Sequence, residues 1–509
     1  EAAWRYIRMS CDSLDEEKQQ AFQDFVQNFS PPLSVYEDKF NHKIYQHPNF
    51  GDLPAEYLTF VRSVKQQLDL FREESIPLMT ASTTLGQKYA TINASITIEH
   101  EGKDLTPQQA GKLLDAQDRE LRRRVWEKLS KRRAQDQEAI EDIFDEMIQL
   151  RHKIALQAGF DTYTDYRFVD RGRFDYTIKD THDFHQAVEQ VVKPVCEWFH
   201  QERKAALGVE TLRPYDLQVD IFGSEPLAPF QTAQELFEGA ERILTRLKPE
   251  LGEMLRIMDE RGFMDLGSRK GKMPGGYNYP LMETGIPFVF MNAAGSTSDV
   301  ITLLHESGHA VHSFLTRDVP LSQRNPPSEV AELAAMTMEM LCLDKYDEFY
   351  PDPADRSRAQ KNQLYRCISV LSWIAAVDAF QQWVYDHPGH SREERAQAWQ
   401  ELYVRFHGET VDWTGYEPFL HGQWLKQSHI FEHPFYYIEY GLAQLGALAI
   451  WKNYRTDPGT CLQNYLSALS LGYTKTIPEI YEAAGIKFDF SEAYVAQSVN
   501  DCFEAYKSW

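Results

Sequence analysis

Cysteine is scarce in this chain and carries no motif: Cys11, Cys196, Cys342, Cys367, Cys461 and Cys502 are scattered over 509 residues without CxxC spacing. That excludes a disulfide-built scaffold and cysteine-held zinc, and it predicts free buried thiols in a reducing compartment. No apolar run reaches the roughly 18 residues a bilayer span needs, and positions 1–5 lack the apolar stretch of a secretion signal, so we expect a soluble, cytoplasmic protein with no membrane partner. Positive charge is in deficit, with 53 Lys and Arg against 76 Asp and Glu and a net charge of −23. Phosphate binding needs a basic surface, so nucleic acid is excluded as a partner. Ser/Gly linkers, low-complexity runs and internal repeats are also missing. The chain reads as one integrated unit, with 1–110 as an N-terminal helical segment holding a small strand region and 111–509 as the region that bears the chemistry. We expect a monomer or small homo-oligomer.

What is present is mostly helical periodicity. Helices are predicted over 14–29, 56–74, a single long stretch 107–156, 181–206, 234–260 and most of the chain after 299. Thr106, Pro107 and Gln109 form a capping-box start for the long one. Strands are expected at 90–99, which alternates apolar and polar residues, and at 287–292, the two sharing a small sheet. A basic cluster on the long helix, Arg119, Arg122, Arg123, Arg124, Lys128, Lys131, Arg132 and Arg133, is interspersed with Glu120 and Glu127 and reads as a solvated, ion-paired face.

The chemistry starts at His305-Glu306-Ser307-Gly308-His309, an HExxH pattern inside a helix-periodic run of Val300, Leu303, Leu304, Val311, Phe314 and Leu315. Residues four apart on a helix lie nearly above one another, so His305 and His309 can face one metal ion with Glu306 beside them. Burying three such groups without a partner is costly, and one zinc ion per chain satisfies them. A hydrolytic zinc needs three protein ligands and an open position. The HExxHxxGxxH version is ruled out, because positions 312 and 315 are His312 and Leu315. The helix predicted after Pro326 and Pro327, with Ser328 as its N-cap, offers acids instead. Glu329 in its first turn is explained by the helix dipole. Glu332 and Glu339, seven apart, share one face among Ala, Leu and Met, which makes Glu332 the expected third ligand and Glu339 a partner that steadies a ligand histidine. His312 falls on the ligand face; as a fourth ligand it would close the open position, so it is expected behind the ligands or in packing.

Near the C-terminus, 429–440 gathers His429, His433, Tyr436, Tyr437 and Tyr440. Aromatic packing explains such a cluster equally well, since the chain has 26 Tyr and 29 Phe. Tyrosine and histidine donors are nevertheless what a zinc hydrolase still lacks, to hold the oxyanion formed when water attacks a carbonyl. Upstream, Lys270, Gly271, Lys272, Gly275 and Gly276 have no GxxxxGK[ST] order, which removes a phosphate loop. Glycines there let backbone approach a substrate closely. The following apolar strand, with Phe290, is expected to offer an open edge to a peptide main chain.

HESGHAVHS, PSEVAELAAM and HIFEHPFYYIEYGLAQLG, in that order and spacing, resemble the M3 family of zinc metallopeptidases, which includes thimet oligopeptidase, neurolysin and bacterial oligoendopeptidase F. The chain is most similar to the oligoendopeptidase F branch. The specific motifs run from about 269 to 446. The resemblance implies a mainly α fold, two helical lobes around a deep substrate channel with a small β-sheet, the neurolysin-like gluzincin arrangement. It also implies zinc on His305, His309 and Glu332, and Glu306 as the group that polarises water and passes its proton to the leaving amine. His429, Tyr437 and Tyr440 take the oxyanion and substrate roles; a small shift of the alignment brings in His433 and Tyr436. Gly275, Gly276 and Phe290 would contact substrate. The expected activity is internal cleavage of short unfolded oligopeptides. Two rivals stand beside it: a dipeptidyl carboxypeptidase or other carboxypeptidase, and a non-catalytic peptide-binding scaffold with structural zinc, against which Glu306 argues because such a site needs no base.

Overall fold

The protein is described by a computed structural model at residues 1–221 and 225–509. Helices dominate, and two small sheets interrupt them. Thr106 opens its helix as its chemistry dictates: its Oγ1 accepts the Gln109 N–H at 3.3 Å while the Gln109 side chain accepts the Thr106 N–H at 3.0 Å. The single helix expected over 107–156 is three, Pro107–Lys112, Arg119–Ala134 and Gln137–Ala158. Asp118 explains the first break, because its carboxylate captures the N–H groups of Glu120 and Leu121 and so starts a new helix. Likewise 234–260 divides at Lys248-Pro249 into Ala233–Leu247 and Pro249–Glu260.

The strand expected at 90–99 is also corrected. Residues 90–94 finish the helix Ile76–Ala94, and only β1 (Ile98–His100) is extended, pairing antiparallel with β2 (Lys103–Leu105). Tertiary packing of Tyr89 and Ala90, both buried, overrides the local alternation. The second sheet holds β3 (Met264–Gly267), β4 (Tyr277–Tyr279) and β5 (Phe288–Ala293) in the order β3-β5-β4, with β5 parallel to β3 and antiparallel to β4. β5 is therefore the centre strand rather than an open edge, and β3 and β4 are the edges. The basic helix is not wholly solvated either. Arg123 pairs with Glu120 and Glu127 at the surface, but Arg122 is 2% exposed and meets the buried Asp216 at 2.9 Å, joined there by Arg119 at 2.8 Å.

Three helices build the frame around the HExxH segment: the motif helix Thr297–Leu315, the acidic helix Ser328–Leu341 and the tyrosine helix Tyr437–Thr456. The motif helix starts at a capping box, Ser296 with Asp299, and the Asp299 carboxylate also accepts the N–H groups of Ala294 and Gly295 at 2.9 and 2.8 Å. Its buried Val300, Leu303, Leu304, Val311 and Phe314 each contribute about 1.5–3 kcal/mol relative to exposure. Gly308 lets the acidic helix come close, since a Cβ there would lie 2.6 Å from the Ala334 carbonyl oxygen. The 34-residue helix Pro353–Asp386 runs through the core. Among the described residues it alone is long and apolar enough to cross a membrane, and 72% of its most apolar stretch is buried inside the protein. All six cysteines are free, five of them buried and Cys11 half-buried.

Candidate active site

The close helix contact at Gly308 brings Glu332 opposite the two motif histidines. Glu332 Oε2 lies 3.4 Å from His305 Nε2, and Glu332 Oε1 lies 3.8 Å from His309 Nε2. Donors around a tetrahedral zinc are roughly 3.3–3.6 Å from one another, and one ligand atom from each of His305, His309 and Glu332 lies within 4.8 Å of the other two, close enough to converge on one ion. Their chemistry fits as well. Glu332 Oε2 is buried without a hydrogen-bond partner. His309 is held down to about 4 by burial, so its ring is neutral and keeps one nitrogen lone pair for a metal. Burial disfavours a charged His305, yet the Glu332 and Glu339 carboxylates beside it outweigh that and hold it well above the usual histidine range. Two buried carboxylates against one imidazole call for a cation, a part that a metal ion fills.

Glu339 reaches His305 from behind, its Oε1 accepting from Nδ1 at 2.7 Å while its Oε2 accepts from Gln363 Nε2 at 2.7 Å. That bond places the His305 proton on Nδ1 and turns Nε2 toward Glu332. Tyr436 donates its hydroxyl to Glu332 Oε1. His312 is 4% exposed, stands outside the set of three, and has an unpartnered Nε2, with burial and then His309 holding it down to about 3.

Glu306 is 4% exposed and its Oε2 has no partner. Burial, reinforced by Glu332 and Glu339 and opposed by His305, pushes its carboxyl up to about 8. The loop from 269 to 277 closes over it. Gly276 allows this, because a Cβ there would sit 3.1 Å from Glu306 Oε1 and 3.4 Å from the Phe290 carbonyl oxygen. Gly275 takes φ +96, a left-handed conformation natural to glycine, and open space surrounds it. Both line a cavity of about 400 Å³ that also contains His305, Glu306, His309, Glu332 and the exposed side of β4. Phe290 does not reach that cavity. It is fully buried, stacked on Tyr277 at 4.6 Å, because it faces an apolar cluster with Ile7, Met9 and Met273.

A hydrogen-bond chain orients the C-terminal cluster. Trp373 Nε1, which can only donate, meets Gln427 Oε1 at 3.0 Å, so Gln427 Nε2 faces His429 Nδ1 at 2.7 Å. His429 then carries its proton on Nε2 and donates it to the Tyr440 hydroxyl at 3.2 Å. The Tyr440 O–H is left free to donate elsewhere, whereas that of Tyr436 is committed to Glu332. His429, His433, Tyr436 and Tyr440 line the cavity; Tyr437 does not, and packs its ring 5.2 Å from both His429 and Tyr440.

Sequence reasoning missed the ionic frame behind this cluster. Glu439, 1% exposed, receives Arg171 at 2.5 Å and Arg173 at 3.1 Å, and the Arg171 guanidinium lies 4.8 Å from the centre of the Tyr436 ring. Glu329 is 2% exposed and accepts the Tyr176 hydroxyl at 2.7 Å, so it answers a buried donor rather than the helix dipole alone. Pro327 rather than Ser328 caps the acidic helix, and the Ser328 hydroxyl accepts from Arg171 at 3.1 Å. The available signal was an acid, Glu439, inside an apolar helix with no cation nearby in sequence.

The chromosomal oligoendopeptidase F of Lactococcus lactis subsp. cremoris is 21% identical over 397 residues, 76% of this chain, and the chain spans 63% of that relative's length. An oligoendopeptidase F homolog of Borreliella burgdorferi is 22% identical over 88% of the chain and 76% of its own length. Among solved structures, a PZ peptidase A with an inhibitor superposes with TM-score 0.95 at 27% identity, covering 99% of this chain and 90% of that one. A putative oligoendopeptidase F matches with TM-score 0.95 at 25% identity, covering 100% and 90%. The model of peptidase family M3 matches residues 112–499, and with three quarters of its length inside that match the chain belongs to this family.

Proposed function

We propose that the protein is a zinc-dependent endopeptidase that cuts internal bonds of short, unfolded oligopeptides, with one zinc ion held by His305, His309 and Glu332. The observation that carries this reading is the convergence of those three donors with an unpartnered Glu306 carboxylate in one cavity. Zinc bound there would supply Lewis acidity to a water and to the scissile carbonyl. Glu306 takes the proton of the attacking water and returns it to the leaving nitrogen. Tyr440 donates toward the developing oxyanion through the O–H that its partner His429 leaves free, and His429 orients that hydroxyl with its own N–H. The β4 edge, Tyr277 and Asn278, presents main-chain groups to an extended peptide, which gives binding tolerant of sequence. Five buried free thiols accord with a cytoplasmic location.

The experiment is cleavage mapping on a peptide blocked at its C-terminus, before and after chelation. Internal cleavage that stops with the chelator and returns with zinc is expected; cleavage only of the unblocked peptide, two residues at a time, moves the assignment to a dipeptidyl carboxypeptidase. The two tyrosines separate by their bonds. Tyr440→Phe should lower kcat by about 10²–10³-fold, as loss of one oxyanion donor does, with zinc content unchanged. Tyr436→Phe should loosen zinc instead, because Glu332 loses its donor. Full activity of Tyr440→Phe would transfer the oxyanion role elsewhere.

A further inference from the structure

One acid lines the same cavity with nothing to neutralise it. Glu432 ends the short helix Ser428–Glu432, three residues after His429, so the two side chains share a face about 5–6 Å apart at Cβ. Its carboxyl group is half-buried and, among the described residues, has neither a hydrogen-bond partner nor an ion-pair partner. Its stem passes close to Gly86, whose Cβ position is 3.7 Å from Glu432 Cγ. Tyr6, from the helix Ala2–Cys11, lines the cavity with it and lies within reach of its charge, as does Tyr89 from Ile76–Ala94, whose hydroxyl is given to the Leu425 carbonyl. The cationic residues of the cavity wall, Arg317 and Arg324, stand elsewhere, Arg317 against Gly285 and Arg324 against the Val319 carbonyl. An acid beside an aromatic ring suits a long cationic side chain, which lays its methylenes on the ring and its charge on the carboxylate.

We propose that Glu432 and Tyr6 form a specificity subsite for a lysine or arginine side chain of the peptide, one or two residues from the bond that is cut. This rests on the peptidase reading above. Burial pushes the Glu432 carboxyl up to about 8, so the empty subsite is largely neutral at pH 7. An opposite charge within about 4–6 Å pulls a carboxyl down by about 1–3 pH units, so an arriving cation ionises it. The other groups facing it do not titrate in this range. Tyr6 and Tyr89 are pushed far up by burial, and His429 is held down to about 4, again first by burial.

The test compares two peptides that differ only by lysine or its uncharged isostere norleucine near the cleaved bond, on the zinc-loaded full chain. Wild type should favour the lysine peptide in kcat/KM by about 10–100-fold, the worth of one charge-assisted hydrogen bond. That ratio should fall as the pH drops from about 7 to 5, where even the paired carboxyl takes up its proton. Effects of pH on Glu306 act on both peptides and cancel in the ratio. Glu432→Gln should bring the ratio close to one, and Glu432→Lys should turn the preference toward a glutamate peptide. A wild-type ratio near one, or a Gln variant that keeps the wild-type ratio, overturns the proposal. Calorimetric binding of the same two peptides reads the preference without hydrolysis. Absence of cleavage then counts against the peptidase reading, and absence of a binding preference against this subsite.

Discussion

Replacing Glu306 by Gln is expected to lower kcat for peptide hydrolysis by about 10²–10⁴-fold, the range of general acid–base catalysis, while the protein keeps its zinc. The upper end is expected because one carboxylate serves twice, first taking the proton of water and then giving it to the leaving nitrogen. The amide is nearly isosteric and fits under Gly276, whose absent side chain already leaves room for Glu306 Oε1. It cannot accept a proton. Metal content should hold because Glu306 is not one of the three converging donors. Zinc analysis and kinetics on one preparation check both halves. If wild type and variant both hold zinc and neither cleaves any member of a diverse peptide set, the catalytic reading fails and a structural zinc site in a peptide-binding scaffold replaces it.

How much of this could be read from the sequence depended on the range of the interaction. The motif helix was legible because its period, its apolar face and its histidine spacing all lie within one turn or two of each other. The helix holding Glu332 was legible for the same reason. Its distance from the histidines was not, since that depends on Gly308 meeting the backbone of Ala334, a contact between residues 26 apart. Strand order failed similarly: 287–292 reads as extended from composition alone, but whether it is an edge depends on β3 and β4 pairing on either side. The tyrosines show a third kind of limit. Tyr436, Tyr437 and Tyr440 are equivalent in composition, and only the chain of bonds from Trp373 through Gln427 and His429 separates a free hydroxyl from a committed one.

Glu332→Gln should have an effect as large as that of Glu306→Gln by a different route. The carboxylate supplies the only negative charge among the three converging donors, and two neutral imidazoles hold zinc far less well without it. Zinc affinity should fall by at least about 10²-fold, beyond the 10–100-fold that loss of a partner behind the ligands costs. Activity should fall with it and recover in part when zinc is in excess. The fold should survive, because the change removes one of three buried acids, Glu306, Glu332 and Glu339, and Tyr436 can still donate to the amide oxygen. Metal content after dialysis against a chelator, followed by a zinc titration of activity, measures both terms. The Glu306 variant serves as control: it keeps zinc and loses turnover, whereas this one loses turnover only as far as it loses zinc. Unchanged metal content in Glu332→Gln would reject Glu332 as a ligand and return the search to Glu339, which already touches His305 through Nδ1 at 2.7 Å.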